Sequence, residues 1–263
     1  MKTRKFIALS LGSLLPFTLW GASAALAQSA NDDAIKIYAA AAVKISLAAI
    51  AADFEQMTGN AVSVVFDSAG ASQQGFLADV EAHLLITTPA RIESSEAEGA
   101  LQNGTAIELG TTVAGIAVPP GSPKPDISTT DALRDALLGA RRIAFSDPSR
   151  GATVGNHFMG VIEALGVKDE VLAKATLAPN GIETMRLVLE EGVDIGITQT
   201  SEILQANRDA LAGPFPGEFE LATTYSLWHR NDASPRVRDF VARLLSPEGR
   251  EELAAEGLAQ PGN

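Results

Sequence analysis

The sequence predicts an α/β protein in which mainly parallel sheets are covered by helices. Two observations carry this prediction. Short apolar runs alternate with helix-length segments along the chain, which is the pattern that parallel strands and their connecting helices produce. The chain also has 263 residues, of which 46% are hydrophobic and 20% charged, enough to bury the core of one large or two medium domains.

The first segment of the chain is predicted to be a secretory signal peptide, residues 1–27. Three basic residues open it, residues 6–20 are almost wholly apolar, and an A-x-A cleavage signature ends at Ala27. A retained membrane anchor is the alternative, but the apolar stretch falls short of the ~20 residues that a membrane span needs. We therefore expect a periplasmic protein that is cleaved after Ala27.

Charge and cysteine content exclude several classes of partner and site. The net charge is −12, so the surface should repel nucleic acid and anionic lipid, and an anionic ligand would have to be held by local donors. The absence of cysteine excludes disulfides and thiolate metal sites, and three scattered histidines leave little to bind a metal. We expect a monomer with no cofactor, no metal and no nucleic-acid partner.

The individual strands and helices follow from the same patterns in chain order. Each apolar run is short and bounded by loop residues, as strands are. The predicted strands are residues 35–38, 62–66, 84–86, 113–118, 143–145 and 195–197. The first helix is predicted over residues 45–57 with Gly59 as its end, and two more near the C-terminus, over residues 237–245 and starting at Pro247.

Two stretches are predicted to carry the chain between two lobes. Residues 119–125 are too proline-dense for regular structure, and glycine and proline also cluster in residues 212–219. Two crossings imply a discontinuous first lobe. The prediction is lobe I over residues 28–116 and 222–263, and lobe II over residues 117–221.

An ordered set of short motifs resembles a known family. The motifs are Y-A-A-A at 38–41, T-G at 58–59, Phe66, S-D-P at 146–148, E-A-L-G at 163–166, E-G-V-D-I-G-I at 191–197 and L-S-P-E at 245–248. In this order they resemble the periplasmic molybdate-binding-like solute receptors of ABC transporters. The resemblance implies a two-lobed type II periplasmic binding protein fold, a small anionic ligand in the interlobe cleft, and a membrane permease as partner.

The candidate ligand-binding residues lie in loops that follow strands, where helix N-termini expose free N–H groups and favour an anion. They are Ala42, Ser68, Ala69, Gly70, Thr88, Gly181 and Gln199. In molybdate receptors a serine hydroxyl contributes at the positions that match Ala42 and Ala69, and a tyrosine at the position that matches Gln199. These departures argue against molybdate as the ligand.

Two cations stand near these loops. Lys44 precedes the first helix, and Arg150 lies with Ser149 and Thr153 between a predicted strand and the helix that contains His157. An ammonium and a guanidinium suit planar carboxylates, which predicts an organic polycarboxylate as the ligand. In the alternative interpretation, Lys44 is a solvated lysine, Arg150 forms an interlobe salt bridge, and the two hydroxyls cap a helix.

Three functions remain open from the sequence. The first is a receptor that delivers a polycarboxylate of the aconitate or citrate type to an ABC importer. The second is an isomerase, because residues 146–157 and 197–203 also resemble a branch of this fold that includes the aconitate isomerases. His157 or Glu202 would then carry the proton, unless the histidine is structural and the glutamate only stabilises a helix dipole. The third is an oxyanion receptor that binds through backbone N–H groups.

Overall fold

The computed structural model describes residues 34–261, so the predicted signal peptide and its cleavage site lie outside the described residues. Within residues 34–261, the chain folds into nine strands of one sheet with helices around it. In the same range, every helix is too short or too polar to cross a membrane.

The sheet is continuous from one edge to the other. Its strands are β1 (Ile35–Ala40), β2 (Val62–Asp67), β3 (Leu84–Thr87), β4 (Gly104–Ala117), β5 (Ile143–Ser146), β6 (Ala175–Ala178), β7 (Ile195–Gln199), β8 (Leu211–Pro214) and β9 (Ala222–Arg230). Their order is β2-β1-β3-β9-β4-β7-β5-β6, with β8 paired to β4. All six predicted strands are present. Three strands are not among those predicted: β6 and β8, which are partly exposed and lack an apolar run, and β9.

Parallel pairing is confined to the two flanks of the sheet. On one flank β1 pairs in parallel with β2 and β3, and on the other β5 pairs in parallel with β6 and β7. The central strands β4 and β9 pair antiparallel with their neighbours. The predicted α/β class is therefore confirmed, and an antiparallel centre joins two parallel halves.

Helices connect the parallel strands and pack against the sheet. They are α1 (Lys44–Thr58), α2 (Ala69–Ala78), α3 (Pro89–Ala97), α4 (Thr130–Gly139), α5 (Thr153–Ala164), α6 (Lys168–Leu172), α7 (Gly181–Glu191), α8 (Thr200–Ala206), α9 (Pro235–Leu245) and α10 (Pro247–Ala255). The first helix, α1, buries Leu47, Ile50 and Phe54 on one face. It ends as predicted at Gly59, whose φ of 72° is a left-handed conformation that glycine adopts without strain.

The long strand β4 carries the chain from one half of the sheet to the other. Residues 104–113 pair with β9, whereas residues 114–117 pair with β7. The passage therefore lies inside a strand, and the prediction that the proline-rich loop at residues 119–125 is the crossing is wrong. That loop follows the crossing. The chain returns where β9 begins at Ala222, shortly after the second predicted crossing.

Each half of the sheet has its own hydrophobic core. In the first half Phe54 and Phe240 meet edge to face, with ring centroids 5.2 Å apart. In the second half Phe145 and Phe158 do the same at 5.0 Å. Burying one such aromatic side chain contributes about 1.5–3 kcal/mol. Because this apolar packing lies within each half, polar loops are left to line the space between them.

Candidate functional site

A cleft lies between the two halves of the sheet, at the carboxyl ends of the parallel strands. Residues of both halves line it: Ala40, Ala41, Asp67, Ser68, Ala69, Ser146, Ala152, Thr153, Val154, Gly181, Thr198, Gln199, Glu202 and Tyr225. Open α/β sheets bind their ligands at this edge. The volume open to the centre of a water-sized sphere is only about 20 Å³, close to what one water molecule needs by that measure.

Helix N-termini converge on this cleft. A 3₁₀ turn at Ala41–Val43 leads into α1, and this turn and helices α2, α5, α7 and α8 all begin at or beside lining residues. At the start of α8, Glu202 Oε2 accepts from the Gln199 N–H and Thr112 Oγ1 from the Ser201 N–H. By contrast, no side chain in the described chain caps the turn at Ala41 or the start of α5. Their first N–H groups are therefore available, and together with the helix dipoles they favour an anion.

The side chains of the cleft wall are mostly neutral. Among the described lining residues none is lysine, arginine or histidine, and two, Asp67 and Glu202, are acids. The net charge of the chain is also negative, at −12, so the long-range field does not attract an anion. The cleft thus offers an anion N–H groups and hydroxyls such as that of Thr153, rather than a cationic side chain.

Glu202 is the buried acid of the cleft. Its Oε2 accepts a hydrogen bond from the Thr198 hydroxyl and another, of 3.1 Å, from the backbone N–H of Gln199. No cation pairs with it among residues 34–261. Burial raises the pKa of Glu202 above its ordinary value, and the two hydrogen bonds offset only part of that effect. The neutral carboxyl, which can donate a hydrogen bond to an anion, therefore persists to higher pH than that of an exposed glutamate.

Gln199 and Tyr225 lie where the cleft meets the centre of the sheet. Gln199 Nε2 donates to Thr223 Oγ1 at 3.0 Å and to Tyr225 Oη at 3.3 Å. The Oε1 atom of Gln199 is buried without a hydrogen-bond partner in the described chain, which costs about 1–3 kcal/mol. Burial, and to a smaller extent Glu202, raises the pKa of Tyr225, so its phenol stays protonated and can donate a hydrogen bond.

Contacts between the two halves close one side of the cleft, and we call them the mouth contacts. The Arg150 guanidinium pairs with Asp67 Oδ2 at 2.7 Å, and the Ser68 hydroxyl donates to the Arg150 carbonyl at 2.7 Å. The backbone N–H of Gly70 donates to the Gly151 carbonyl at 3.2 Å. The cleft is therefore in its closed form, and separating the halves must break these contacts.

The mouth contacts pair Arg150 with Asp67, an acid of the cleft wall, and they lead to a prediction. We expect Arg150→Met and Asp67→Asn each to weaken ligand affinity by about 2- to 5-fold, because an ion pair this exposed contributes about 0.2–1 kcal/mol. The side chain of Arg150 is 42% exposed. Since the two variants remove the same ion pair, the double variant should be no weaker than either alone.

Isothermal titration calorimetry measures this effect, and added salt should reduce it. Arg141→Met is the matched control. Arg141 forms an ion pair of 3.0 Å with Asp194, and neither residue lines the cleft. A loss of about 100-fold or more in Arg150→Met alone would instead require a direct contact between Arg150 and the ligand.

Six of the residues predicted from the sequence line the cleft: Ser68, Ala69, Thr153, Gly181, Gln199 and Glu202. Gly181 shows why a residue without a side chain is needed at the start of α7. A Cβ atom there would collide with the Glu202 carboxyl and the Thr198 hydroxyl. Because Gly181 has no side chain, the N-terminus of α7 can approach the cleft closely.

Five other predicted positions lie outside the cleft wall: Ala42, Lys44, Gly70, Thr88 and Ser149. Ala42 is buried in the first core, and its carbonyl accepts a hydrogen bond from Gln205. Gly70 belongs to the mouth contacts, Thr88 lines a separate open groove, and Ser149 is exposed. Lys44 borders an adjoining cavity that is described below.

His157 also lies apart from the cleft. Its Nε2 forms a hydrogen bond of 2.8 Å with the Phe219 carbonyl, and its ring centroid is 6.0 Å from that of Phe215. The sequence left open a proton-transfer role and a structural role for this histidine. Its contacts support the structural one, because both partners belong to the segment that precedes β9.

Several lining residues were not predicted from the sequence: Asp67, Ser146, Ala152, Val154, Thr198 and Tyr225. Asp67, Ser146 and Thr198 stand at or near the carboxyl ends of β2, β5 and β7, so the signal that identified Gln199 could have found them. Tyr225 lies inside the antiparallel strand β9, where no strand end marks it.

Comparisons with known proteins bear on both family and ligand. A family model described as bacterial extracellular solute-binding protein matches residues 35–259. The aconitate isomerase of a Pseudomonas species is 25% identical over 187 residues, which cover 68% of this chain and 70% of that protein.

Solved structures share the fold at lower identity. The periplasmic molybdate-binding protein of Azotobacter vinelandii superposes with a TM-score of 0.68 at 17% identity, over 86% of this chain and 99% of that chain. PEB3 of Campylobacter jejuni, in a structure with L-phospholactate bound, superposes with a TM-score of 0.63 at 18% identity, over 86% and 99% of the two chains. The fold is therefore that of the two-lobed periplasmic binding proteins. Since the family model spans nearly all of the described residues, this chain belongs to the bacterial extracellular solute-binding proteins.

Proposed function

We propose that this protein is a periplasmic receptor that closes two lobes on a small oxyanion and presents it to the membrane permease of an ABC importer. The observation that carries the proposal is the cleft itself, where helix N-termini converge, the turn at Ala41 and the start of α5 have no side-chain cap, and no described lining side chain is a cation. Such backbone donors bind an anion by geometry and dipole rather than by net charge. Structural neighbours named for molybdate binding or solved with L-phospholactate are consistent with an anionic ligand.

Closure of the lobes is the second part of the proposal. We take the lobes predicted from the sequence, residues 28–116 with 222–263 and residues 117–221, and move the first boundary into β4, to between residues 113 and 114, where the strand changes partner. The strands β4 and β9 join them and serve as the hinge, and the mouth contacts hold the closed form. Because the closed cleft has a volume of only about 20 Å³, a ligand enters only when the halves separate.

The donors of the cleft suit a single oxyanion head. The polycarboxylate predicted from the sequence depended on Arg150 and Lys44, and neither lines the cleft. A single oxyanion group, by contrast, could accept hydrogen bonds from the helix N-termini, the Tyr225 phenol and a protonated Glu202.

The proposal is tested by ligand-induced stabilisation of the mature protein. A ligand at 100 times its Kd stabilises the folded state by about 2.7 kcal/mol, which should raise Tm by about 5–10 °C for a chain of this size. The panel is phosphate, sulfate, molybdate, L-phospholactate, cis-aconitate and citrate. We expect at least one anion to raise Tm and to give a saturable calorimetric isotherm. If none did so at millimolar concentration, the receptor proposal would fail.

A second candidate function is supported by Glu202 and by the similarity to an aconitate isomerase. In that reaction a base removes an allylic proton from one carbon, the double bond shifts, and the proton is returned to the other carbon. Glu202 is a buried carboxyl in the cleft with a raised pKa, as a proton carrier at neutral pH requires. Proton NMR of cis-aconitate with a catalytic amount of protein tests this directly. Trans product that disappears in Glu202→Gln would establish the isomerase, and absence of product would exclude it.

A further inference from the structure

A second cavity adjoins the cleft and shares two of its residues. Its volume, measured in the same way, is about 80 Å³, against about 20 Å³ for the cleft. Ala41, Lys44 and Ile45 line it from one half of the sheet, and Ile182, Glu202, Gln205 and Ala206 from the other. Because Ala41 and Glu202 border both spaces, we call the second space the side cavity of the cleft.

The wall of the side cavity is fixed by a glutamine that spans the two halves. Gln205 Nε2 donates to the Ala42 carbonyl at 2.7 Å, and its Oε1 accepts from the Ile45 N–H at 3.1 Å. Both ends of this amide are therefore occupied. They hold the start of α1 against α8, which sets the position of the Lys44 backbone relative to Glu202.

Lys44 is the cation of the side cavity. It is partly buried, and within residues 34–261 its side chain makes no hydrogen bond or ion pair. The described wall of the cleft has no cation, so Lys44 places a positive charge in the adjoining space, which shares Ala41 and Glu202 with the cleft. The rest of the side cavity is largely apolar, through Ile45, Ile182 and Ala206, which suits a short carbon chain.

We propose that the ligand site continues past Glu202 into the side cavity, where Lys44 binds a second acidic group. This inference rests on the proposed receptor function and narrows its ligand class. The ligand is then a short organic acid with two separated acidic groups. One oxyanion head accepts N–H donors in the cleft, the carbon chain packs on the apolar wall, and the other head pairs with the Lys44 ammonium. A single-headed inorganic anion fills only the cleft.

Calorimetry of matched anions on the mature protein tests the inference. Inorganic phosphate and acetate are the single-headed probes, and L-phospholactate and cis-aconitate are their multi-headed counterparts. We expect at least one multi-headed anion to bind about tenfold or more tighter than its single-headed counterpart. Lys44→Met should reduce this preference to about threefold or less, and Lys44→Arg should retain most of it. Lys124→Met, on an exposed loop residue, is the control and should keep the preference in full.

Each other result overturns the inference in a distinguishable way. If single-headed anions bind and Lys44→Met keeps the full preference, the side cavity is not part of the site, although the receptor function stands. If Lys44→Met weakens phosphate as much as L-phospholactate, Lys44 acts through Glu202 on the cleft as a whole and not on a second head. If neither class of anion binds, the receptor function fails together with the inference.

Discussion

Replacing Gly70 with alanine is expected to weaken ligand binding by about 30- to 100-fold. A Cβ atom at this position would lie 2.8 Å from the Arg150 carbonyl oxygen and 2.8 Å from the Gly151 Cα atom. Both atoms belong to the backbone of the opposite half, so they cannot relieve the clash by a rotamer change as a side chain could. The lobes would stay apart, and the hydrogen bonds from Ser68 and Gly70 across the mouth would be lost. Two or three such bonds contribute about 2–3 kcal/mol together, which corresponds to this loss of affinity.

The Gly70 variant should fold normally. Gly70 lies in helix α2, where alanine is favoured over glycine by about 0.5–1 kcal/mol. Calorimetry would give the affinity, and small-angle scattering with and without ligand would show whether the protein still contracts. Gly160→Ala is the matched control, since Gly160 is also helical and a Cβ there meets no atom within 4 Å. If Gly70→Ala bound and contracted like the parent protein, closure through the mouth contacts would be refuted.

Glu202→Gln is expected to change the pH dependence of stability. Burial raises the pKa of Glu202 in the folded state, so the folded protein holds this proton where the unfolded chain has released it. The stabilisation is complete below the ordinary value of 4.5 and is lost as the pH rises through the folded-state value. Glutamine stays neutral throughout and keeps an acceptor for Thr198 and Gln199. The variant should therefore gain stability over the parent as the pH rises, by about 1–3 kcal/mol.

Denaturant unfolding at several pH values between about 5 and 8.5 measures this difference. All other titrating groups are common to both proteins, so the change in the free energy of unfolding between variant and parent isolates Glu202. Glu93→Gln is the control, because Glu93 is exposed and should give a difference that does not vary with pH. A constant difference for Glu202→Gln as well would mean that Glu202 is ionised and solvated like a surface carboxylate.

Much of the fold could be predicted because its signals are local. The strand at residues 143–145 and the helix end at Gly59 each follow from a short run of residues, and both are present. The passage between the halves could not be predicted in this way. It lies within β4, where residues 113 and 114 have different partner strands. A change of partner leaves no mark on a strand's own sequence, whereas the proline-rich loop that follows it is conspicuous.

The candidate site was predictable where it depends on the backbone and less so where it depends on side-chain direction. Ser68, Gly181 and Gln199 were identified from their position after strands, and they line the cleft. Arg150 stands in an equally suitable loop, yet its guanidinium reaches Asp67 at 2.7 Å. The Arg150–Asp67 ion pair is a tertiary contact between residues far apart in the chain. The sequence around Arg150 therefore does not indicate whether its guanidinium faces a ligand or an acid of the protein. Tyr225 was missed for a related reason, since only the folded sheet brings β9 beside β7 residues such as Gln199.

The shared strand β4 also couples the stability of one half to that of the other. Residues 104–113 pair with β9 in the first half, and residues 114–117 pair with β7 and β8 in the second. Unfolding of either half would therefore release one part of β4 and loosen the ladder that the rest of the strand forms in the other half. We therefore expect each half to be less stable alone than in the whole protein, and the two halves to unfold together in one cooperative transition.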